Sequence, residues 1–328
     1  MNRRQILILI ALLVGLLLIA TLRLMAGTGG ISNIQQWGIA SDEFSHSLRM
    51  RRVFAASIVG SSLAIAGVLL QSLLRNPLAA PDLMGLSAGA GFAVTLTIFL
   101  TGTILSAAAA AFPALLGAVI VLVLVYTLSQ RRGVIDPVTM ILIGVIVSVI
   151  LGAATMLVAS QMPDRGFGTS RWMMGHLRND LTKTNLITAS IAMLVVFIIG
   201  LMQSRSYDAG ALPIDEAKSV GLRIGRTRLS QLLGAGILTT VSIILAGPIG
   251  FVGLVCPHIV RVLLGPKHLP LLIGSAIVGA TMVVGADLVT RIIQTDAGRI
   301  PIGVLTALIG GPVFLILLLK QRTAQSDY

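Results

Sequence analysis

The chain has 328 residues, 55% of them apolar and only 11% charged, with a mean hydropathy of +0.97 and a formal net charge of +12. An ordinary soluble domain carries roughly 25% charged residues, and 24 basic with 12 acidic side chains cannot solvate a globular protein of this size. The long uncharged runs exclude a disordered chain, the single Cys256 permits no intramolecular disulfide, and basic residues that flank apolar runs form no face for nucleic acid.

A bilayer core about 30 Å thick needs roughly 20 apolar residues per helix, and such stretches fill the chain. Residues 6–22, between Arg4 and Arg23, form the first. This run exceeds the roughly 7–15 apolar residues of a signal peptide, so it reads as an uncleaved span. Residues 53–74 are the second. Residues 83–130 carry no charge over a length too great for one helix, and Gly102 and Thr103 divide them into the third and fourth. Residues 137–163 and 184–204 are the fifth and sixth. Residues 229–260 are again too long, and Gly247-Pro248-Ile249-Gly250 splits them into a full span and a short one interrupted by Pro257. Residues 269–286 and 300–319 bring the total to ten. Ten crossings put both termini on one side. With the termini in the cytoplasm, 14 of the 24 Lys and Arg residues fall inside, including Arg131-Arg132 and the pair Arg226 and Arg228. Cys256, among apolar neighbours, reads as an inert buried thiol.

Three segments are too polar or too broken for plain spans. Arg75-Asn76-Pro77-Leu78-Ala79-Ala80-Pro81-Asp82, followed by Gly85, Gly89 and Gly91, disrupts a helix whose freed backbone groups protein or water must then satisfy. Residues 247–257 form the second break. Broken helices in both halves of a chain point to a translocation pathway. The third segment is the cytoplasmic loop of about residues 205–228. Pro213 suits a first helical position, Asp215 and Glu216 fit a first turn, and Gly221 fits the residue after the end. These residues predict a helix of about eight residues outside the membrane, with a second short element near Arg226.

No Gly-rich loop ends in Gly-Lys-Ser/Thr, so the chain does not hold nucleotide phosphates in the P-loop manner. His46, His176, His258 and His268 are scattered, which leaves no metal site, and no cofactor is expected. Asp287 is the one carboxylate read as lying in or near a span, and Arg291 follows it at i+4 as an expected ion pair. Spans so poor in carboxylates argue against an ion-coupled secondary transporter. No constellation supports a membrane-embedded enzyme.

Several stretches, in order, carry a family resemblance. They are Arg49-Met50-Arg51-Arg52; Gly67-Val68-Leu69-Leu70-Gln71; Asn76-Pro77-Leu78-Ala79-Ala80-Pro81 with Leu83-Met84-Gly85; and Gly247-Pro248-Ile249-Gly250-Phe251-Val252-Gly253-Leu254-Val255 with Pro257-His258 and Arg261. The set ends with Ala286-Asp287-Leu288, Arg291, Pro301-Ile302-Gly303-Val304-Leu305-Thr306-Ala307, and Gly310, Gly311 and Pro312. By these the chain resembles the FecCD-type permeases, the membrane subunits of ATP-binding-cassette importers for ferric siderophores, haem and cobalamin.

The resemblance implies an all-α membrane protein of about ten transmembrane helices, similar to type II importer permeases, with residues 1–328 forming one transmembrane domain. It implies a multi-pass subunit of the cytoplasmic (inner) membrane without its own ATPase. Cytoplasmic ATP-binding subunits, an extracytoplasmic substrate-binding protein and a second permease subunit, either a second copy or a close paralogue, would be its partners. ATPase coupling maps to the loop segment holding Pro213, Asp215, Glu216, Ala217 and Gly221. Pro213 stands where the family more often has glycine. Docking of the binding protein maps to Arg49, Arg52 and Arg291, with Arg51 in place of the usual proline; without the resemblance these arginines would read as lipid-headgroup anchors. Asn76, Pro77, Pro81, Gly247, Pro248 and Gly250 are the expected pathway or gate residues. A ferric siderophore is the expected cargo, with haem and cobalamin as alternatives.

Overall fold

The computed structural model describes residues 1–26, 43–131, 134–162, 174–178, 180–295 and 298–326. Among them are twelve α-helices: α1 (Arg3–Met25), α2 (Glu43–Leu73), α3 (Leu86–Thr101), α4 (Ala107–Leu128), α5 (Pro137–Ser160), α6 (Lys183–Met202), α7 (Ser204–Gly210), α8 (Ile214–Ser219), α9 (Ile224–Ala246), α10 (Val252–Leu264), α11 (His268–Ile292) and α12 (Ile302–Ser326). Seven of these, α1, α2, α4, α5, α6, α9 and α11, are long and apolar enough to cross a membrane. The shorter apolar helices α3, α10 and α12 complete the ten expected apolar segments.

Local chemistry explains several boundaries. Gly102 at φ 66° closes α3, and the Ser106 hydroxyl accepts from the Ala109 N–H to open α4, so residues 83–130 divide where Gly102 and Thr103 predicted. The α4–α5 and α11–α12 connections close as short antiparallel ladders, Gln130–Arg131 on Val134–Ile135 and Gln294–Thr295 on Gly298–Arg299, which the sequence did not suggest. Several boundaries differ from expectation, α2 starting at Glu43 rather than 53 among them. The element expected near Arg226 is the first turn of α9 itself, which starts at Ile224 rather than 229. The last segment before α12 runs to Ile292, well past residue 286. A further difference is that α10 continues through Pro257. Proline lacks the N–H that would bond the Gly253 carbonyl, and the buried Gln71 side chain reaches that carbonyl from α2 at 3.4 Å. Its Oε1 in turn accepts from Arg261 of α10 at 2.8 Å, so one side chain staples the proline-bearing helix to its neighbour.

The centre of the fold is α2, which packs against α11, α9 and α10 and is mostly buried, whereas α1 and α5 turn most of their surface outward. Exposed Leu7, Leu13, Leu17, Val149 and Ile150 are the ordinary lipid-facing surface of such helices. Lipid removes the hydrophobic drive between helices, so close packing must hold them. Glycine supplies it at two crossings of α2. A Cβ on Gly60 would lie 2.1 Å from the Gly279 carbonyl oxygen of α11, and one on Gly67 would lie 1.9 Å from the Gly253 oxygen of α10. The Gly67→Ala variant is therefore expected to push α2 and α10 apart, costing about 1–3 kcal/mol or more as overpacking does. Thermal unfolding of detergent-purified protein checks this: Gly67→Ala lowers the midpoint, and Gly15→Ala, where a Cβ meets nothing within 4 Å, does not.

Candidate functional site

The two broken segments, some 170 residues apart in the chain, meet in the fold. Arg75 (φ 48°) and Phe251 (φ 68°) are the non-glycine residues with positive φ among those described, and each sits in one of the breaks. Such backbone costs on the order of 1–3 kcal/mol and persists only where the surroundings enforce it. The Asn76 side chain turns the chain by accepting from the Leu78 N–H at 2.9 Å. Pro81 then opens a single 3₁₀ turn, Pro81–Met84, and Gly85 at φ 74° feeds α3. In the other break Gly247 (φ 68°) ends α9, and Phe251 precedes α10. Pro81 lies against α10, its Cδ 2.8 Å from where Gly253 would carry a Cβ, and the Asp82 carboxylate is 3.4 Å from the corresponding position on Gly250.

The expected pathway residues thus fall into two groups. Pro81 meets Gly253 at the α10 start and Gly250 meets Asp82, while the Pro248 carbonyl faces Gly175 and Gly303. Asn76 and Pro77 instead line a cavity of about 460 Å³ at the end of α2, together with Gln71, Arg75, His258 and Arg261. Asp82 carried no expected role, yet it is a second carboxylate, in addition to Asp287, packed against a span. The Asp82 carbonyl accepts from Ser148, in the middle of α5, at 3.5 Å, and its carboxylate accepts from Ser87 at 3.1 Å. An acid directly after the Pro81 break was the available signal.

At one end of the bundle stands the predicted loop helix. It is α8, six residues long rather than about eight, and Pro213 is the residue before it rather than its first. The Pro213 carbonyl accepts from the Ala217 N–H at 2.9 Å. Gly221 at φ 78° lets the chain turn back so that Leu222 N–H reaches the Ala217 carbonyl at 3.0 Å. Ala217 is fully buried, while Pro213, Asp215, Glu216, Lys218 and Gly221 are exposed, so α8 has one seated face and one free acid-bearing face. The preceding helix is pinned too. Asp208 accepts both from the His268 N–H at the start of α11 and from its Nδ1 at 2.7 Å, and Tyr207 packs edge-on against the His268 ring.

At the opposite end, α1, α2 and α11 converge on one acid. Asp287 pairs with Arg23 at 2.5 Å and with Arg52 at 2.9 Å, and its side chain is almost wholly buried. Asp287 therefore takes its partners from two other helices and not from Arg291 of its own, which corrects the i+4 expectation. Of the expected docking residues, Arg49 donates to the Leu24 carbonyl at 3.0 Å and is half-buried, Arg52 is held by Asp287, and Arg291 is buried. Arg51 is also half-buried at this rim. Local spacing could not reveal Arg23, which the sequence presented only as the flank of the first span.

The geometry, then, is a helical bundle with two touching breaks inside, a seated acidic helix at one end and an arginine cluster at the other. The model of the FecCD transport family matches residues 6–320. The chain belongs to that family. It is 35% identical over 284 residues to the hemin transport system permease protein of Yersinia pestis (85% of this chain, 84% of that protein). It is 32% identical over 313 residues to a vitamin B12 import system permease protein of Vibrio cholerae (95% and 93%), and 35% identical over 279 residues to the ferric enterobactin transport system permease protein of Escherichia coli (84% and 81%). A solved ABC transporter of metal-chelate type, in an inward-facing conformation, superposes with a TM-score of 0.83 at 31% identity, covering 96% of this chain and 99% of that one. This FecCD member is an ABC importer permease, a transport component whose ATPase is carried by a partner. Its apolar helices fit a multi-pass membrane protein.

Proposed function

We propose that this permease moves an iron chelate, a ferric siderophore, inward across the cytoplasmic membrane. ATP-binding subunits dock on α8, an extracytoplasmic binding protein docks over the arginine rim, and a second permease subunit completes the pathway. Both termini then lie in the cytoplasm, as the distribution of Lys and Arg supports. The observation that carries the reading is α8: a helix seated through Ala217 that leaves Asp215 and Glu216 free offers a rigid acidic contact outside the spans. The breaks, meeting where Pro81 lies against Gly253 and Asp82 against Gly250, support a gate, since strained non-helical backbone inside a bundle is tolerated where it lines a cavity. Haem and cobalamin remain the alternative cargoes, favoured by the relatives named for hemin and vitamin B12. Co-purification from native membranes tests the subunit arrangement: a separate nucleotide-binding subunit retained by the tagged chain supports it, and a chain that transports alone contradicts it.

The rim makes a second test possible. Arg52 is engaged with Asp287, so the arginines to reverse are the half-buried Arg49 and Arg51. Exposed charge pairs contribute about 0.2–1 kcal/mol each, and several together steer encounter. The Arg49→Glu/Arg51→Glu variant is expected to weaken binding-protein affinity in nanodiscs several-fold at low salt. The deficit should shrink as salt shortens the Debye length below about 8 Å. Affinity that ignores both the reversal and the salt identifies these arginines as headgroup anchors.

A further inference from the structure

The ATPase-facing loop and the gate segment share one side chain. Arg75 is the first residue beyond the last turn of α2 whose backbone leaves the helical region, at φ 48°, and Asn76 follows it directly. Its guanidinium crosses to the α7–α8 turn, where one nitrogen donates to the Gly210 carbonyl at 2.8 Å and to the Leu212 carbonyl at 2.5 Å. Those carbonyls close α7 and immediately precede Pro213, and a helix end leaves such groups without intrahelical donors. A cation there also meets the negative end of the helix dipole. Its neighbour Ser72, still within α2, is held separately, by Gln231 of α9 at 2.9 Å. The last turn of α2 is thus fixed to the bundle, and beyond it the chain is gripped from the loop side.

We propose that Arg75 is a positioning residue that transmits displacement of the α7–α8 turn to the segment beginning at Asn76, so that movement of α8 on its ATPase changes the gate. The argument is geometric. A planar guanidinium bridging two carbonyls ties the loop to the Arg75 backbone, so any loop displacement beyond what its side-chain torsions absorb pulls on that backbone. That backbone is already in a sparsely populated region, where an alternative conformation lies within reach. The Asn76 turn and the Ala79 N–H to Asn76 carbonyl bond at 3.1 Å make residues 76–79 one compact unit, which would swing as a whole. The inference rests on the reading of α8 as the ATPase contact.

The test uses the complete importer in proteoliposomes, with its ATPase and binding protein, and takes two readouts. One is substrate accumulated per ATP hydrolysed. The other is the distance between spin labels at Leu78→Cys of the two permease subunits, with and without nucleotide; Leu78 is exposed and Cys256 is buried and inert to labelling. Arg75→Ala is expected to keep binding-protein-stimulated hydrolysis within about twofold while substrate per ATP falls about tenfold or more, the scale of losing charge-assisted hydrogen bonds. Nucleotide should then no longer shift the label distance, and Arg75→Lys should restore part of both. An unchanged ratio with a normal nucleotide-dependent shift overturns the proposal, as does equal loss of hydrolysis and transport in an assembled complex. If Arg75→Ala does not assemble, Arg75→Gln, too short to reach the two carbonyls, decides on the same readouts. The Asp215→Lys/Glu216→Lys variant run alongside separates the two claims. Normal hydrolysis and uptake there count against the α8 contact, whereas a defect there beside an unchanged Arg75→Ala ratio counts against the link alone.

Discussion

Reversing both acids of α8, Asp215→Lys with Glu216→Lys, is expected to cut ATP-driven uptake by about fourfold to several-hundredfold, because each lost surface contact of about 0.2–1 kcal/mol becomes a repulsion of similar size. The two side chains project from the exposed face of a helix whose other face is fixed by Ala217. The substitution therefore changes what α8 presents, leaving its seating intact. Lysine is as good a helix former as glutamate and better than aspartate, although it loses the favourable placement of acids in a first turn. Insertion and thermal midpoint should accordingly stay near the parent values. Binding-protein-stimulated hydrolysis should fall with uptake, and high salt should partly relieve the defect, since the contact is exposed. Normal uptake with normal stimulated hydrolysis would remove α8 from the energy-coupling path.

The second large effect concerns the buried acid at the far end. Asp287→Asn is expected to destabilise the fold by about 3–5 kcal/mol, the usual result of leaving buried charge uncompensated. Set against a total of about 5–15 kcal/mol, that is enough to lower the yield of inserted protein sharply. The asymmetry of the cluster sharpens the prediction. One carboxylate serves both Arg23 and Arg52, and one terminal nitrogen of Arg23 is already buried without a partner among the described residues. Removing the acid takes the shared carboxylate from both guanidinium groups, whereas Arg23→Met leaves Asp287 paired with Arg52. Thermal unfolding in detergent should rank Asp287→Asn far below Arg23→Met, with Arg23→Met itself measurably affected through lost packing. Had Asp287 taken Arg291 as its main partner, Asp287→Asn would fall no further below Arg23→Met than a single lost pair allows.

That cluster also marks the boundary of what the amino-acid sequence discloses. Spans, the split at Gly102 and the loop helix were legible because each is written locally: an uncharged length, a glycine C-cap, a proline before acids and a glycine after. The six-residue length of α8 was overestimated because Gly221 stands two residues past its end rather than one. Asp287 and Arg291 sit at a helical spacing that suggests a pair, yet the stronger partners arrive from α1 and α2, and no local rule reports tertiary proximity. Asp82 was passed over because it reads as part of a loop, when the 3₁₀ turn after Pro81 carries it against α5 and Gly250. Gly60 and Gly67 are indistinguishable in sequence from other small residues of the spans; only the 2.1 and 1.9 Å approaches single them out. The two breaks were legible as breaks, but that Pro81 meets Gly253 while Asn76 lines another cavity required coordinates.

Uptake into proteoliposomes holding the permease, its ATP-binding subunits and its binding protein tests the central claim most directly. A panel of labelled ferric siderophore, haem and cobalamin would be offered with ATP, without ATP, and with an imposed proton or sodium gradient instead. The account predicts accumulation that requires both ATP and the binding protein, ignores the gradients and is greatest for the ferric siderophore. Gradient-driven accumulation by the chain alone, indifferent to ATP, would contradict it.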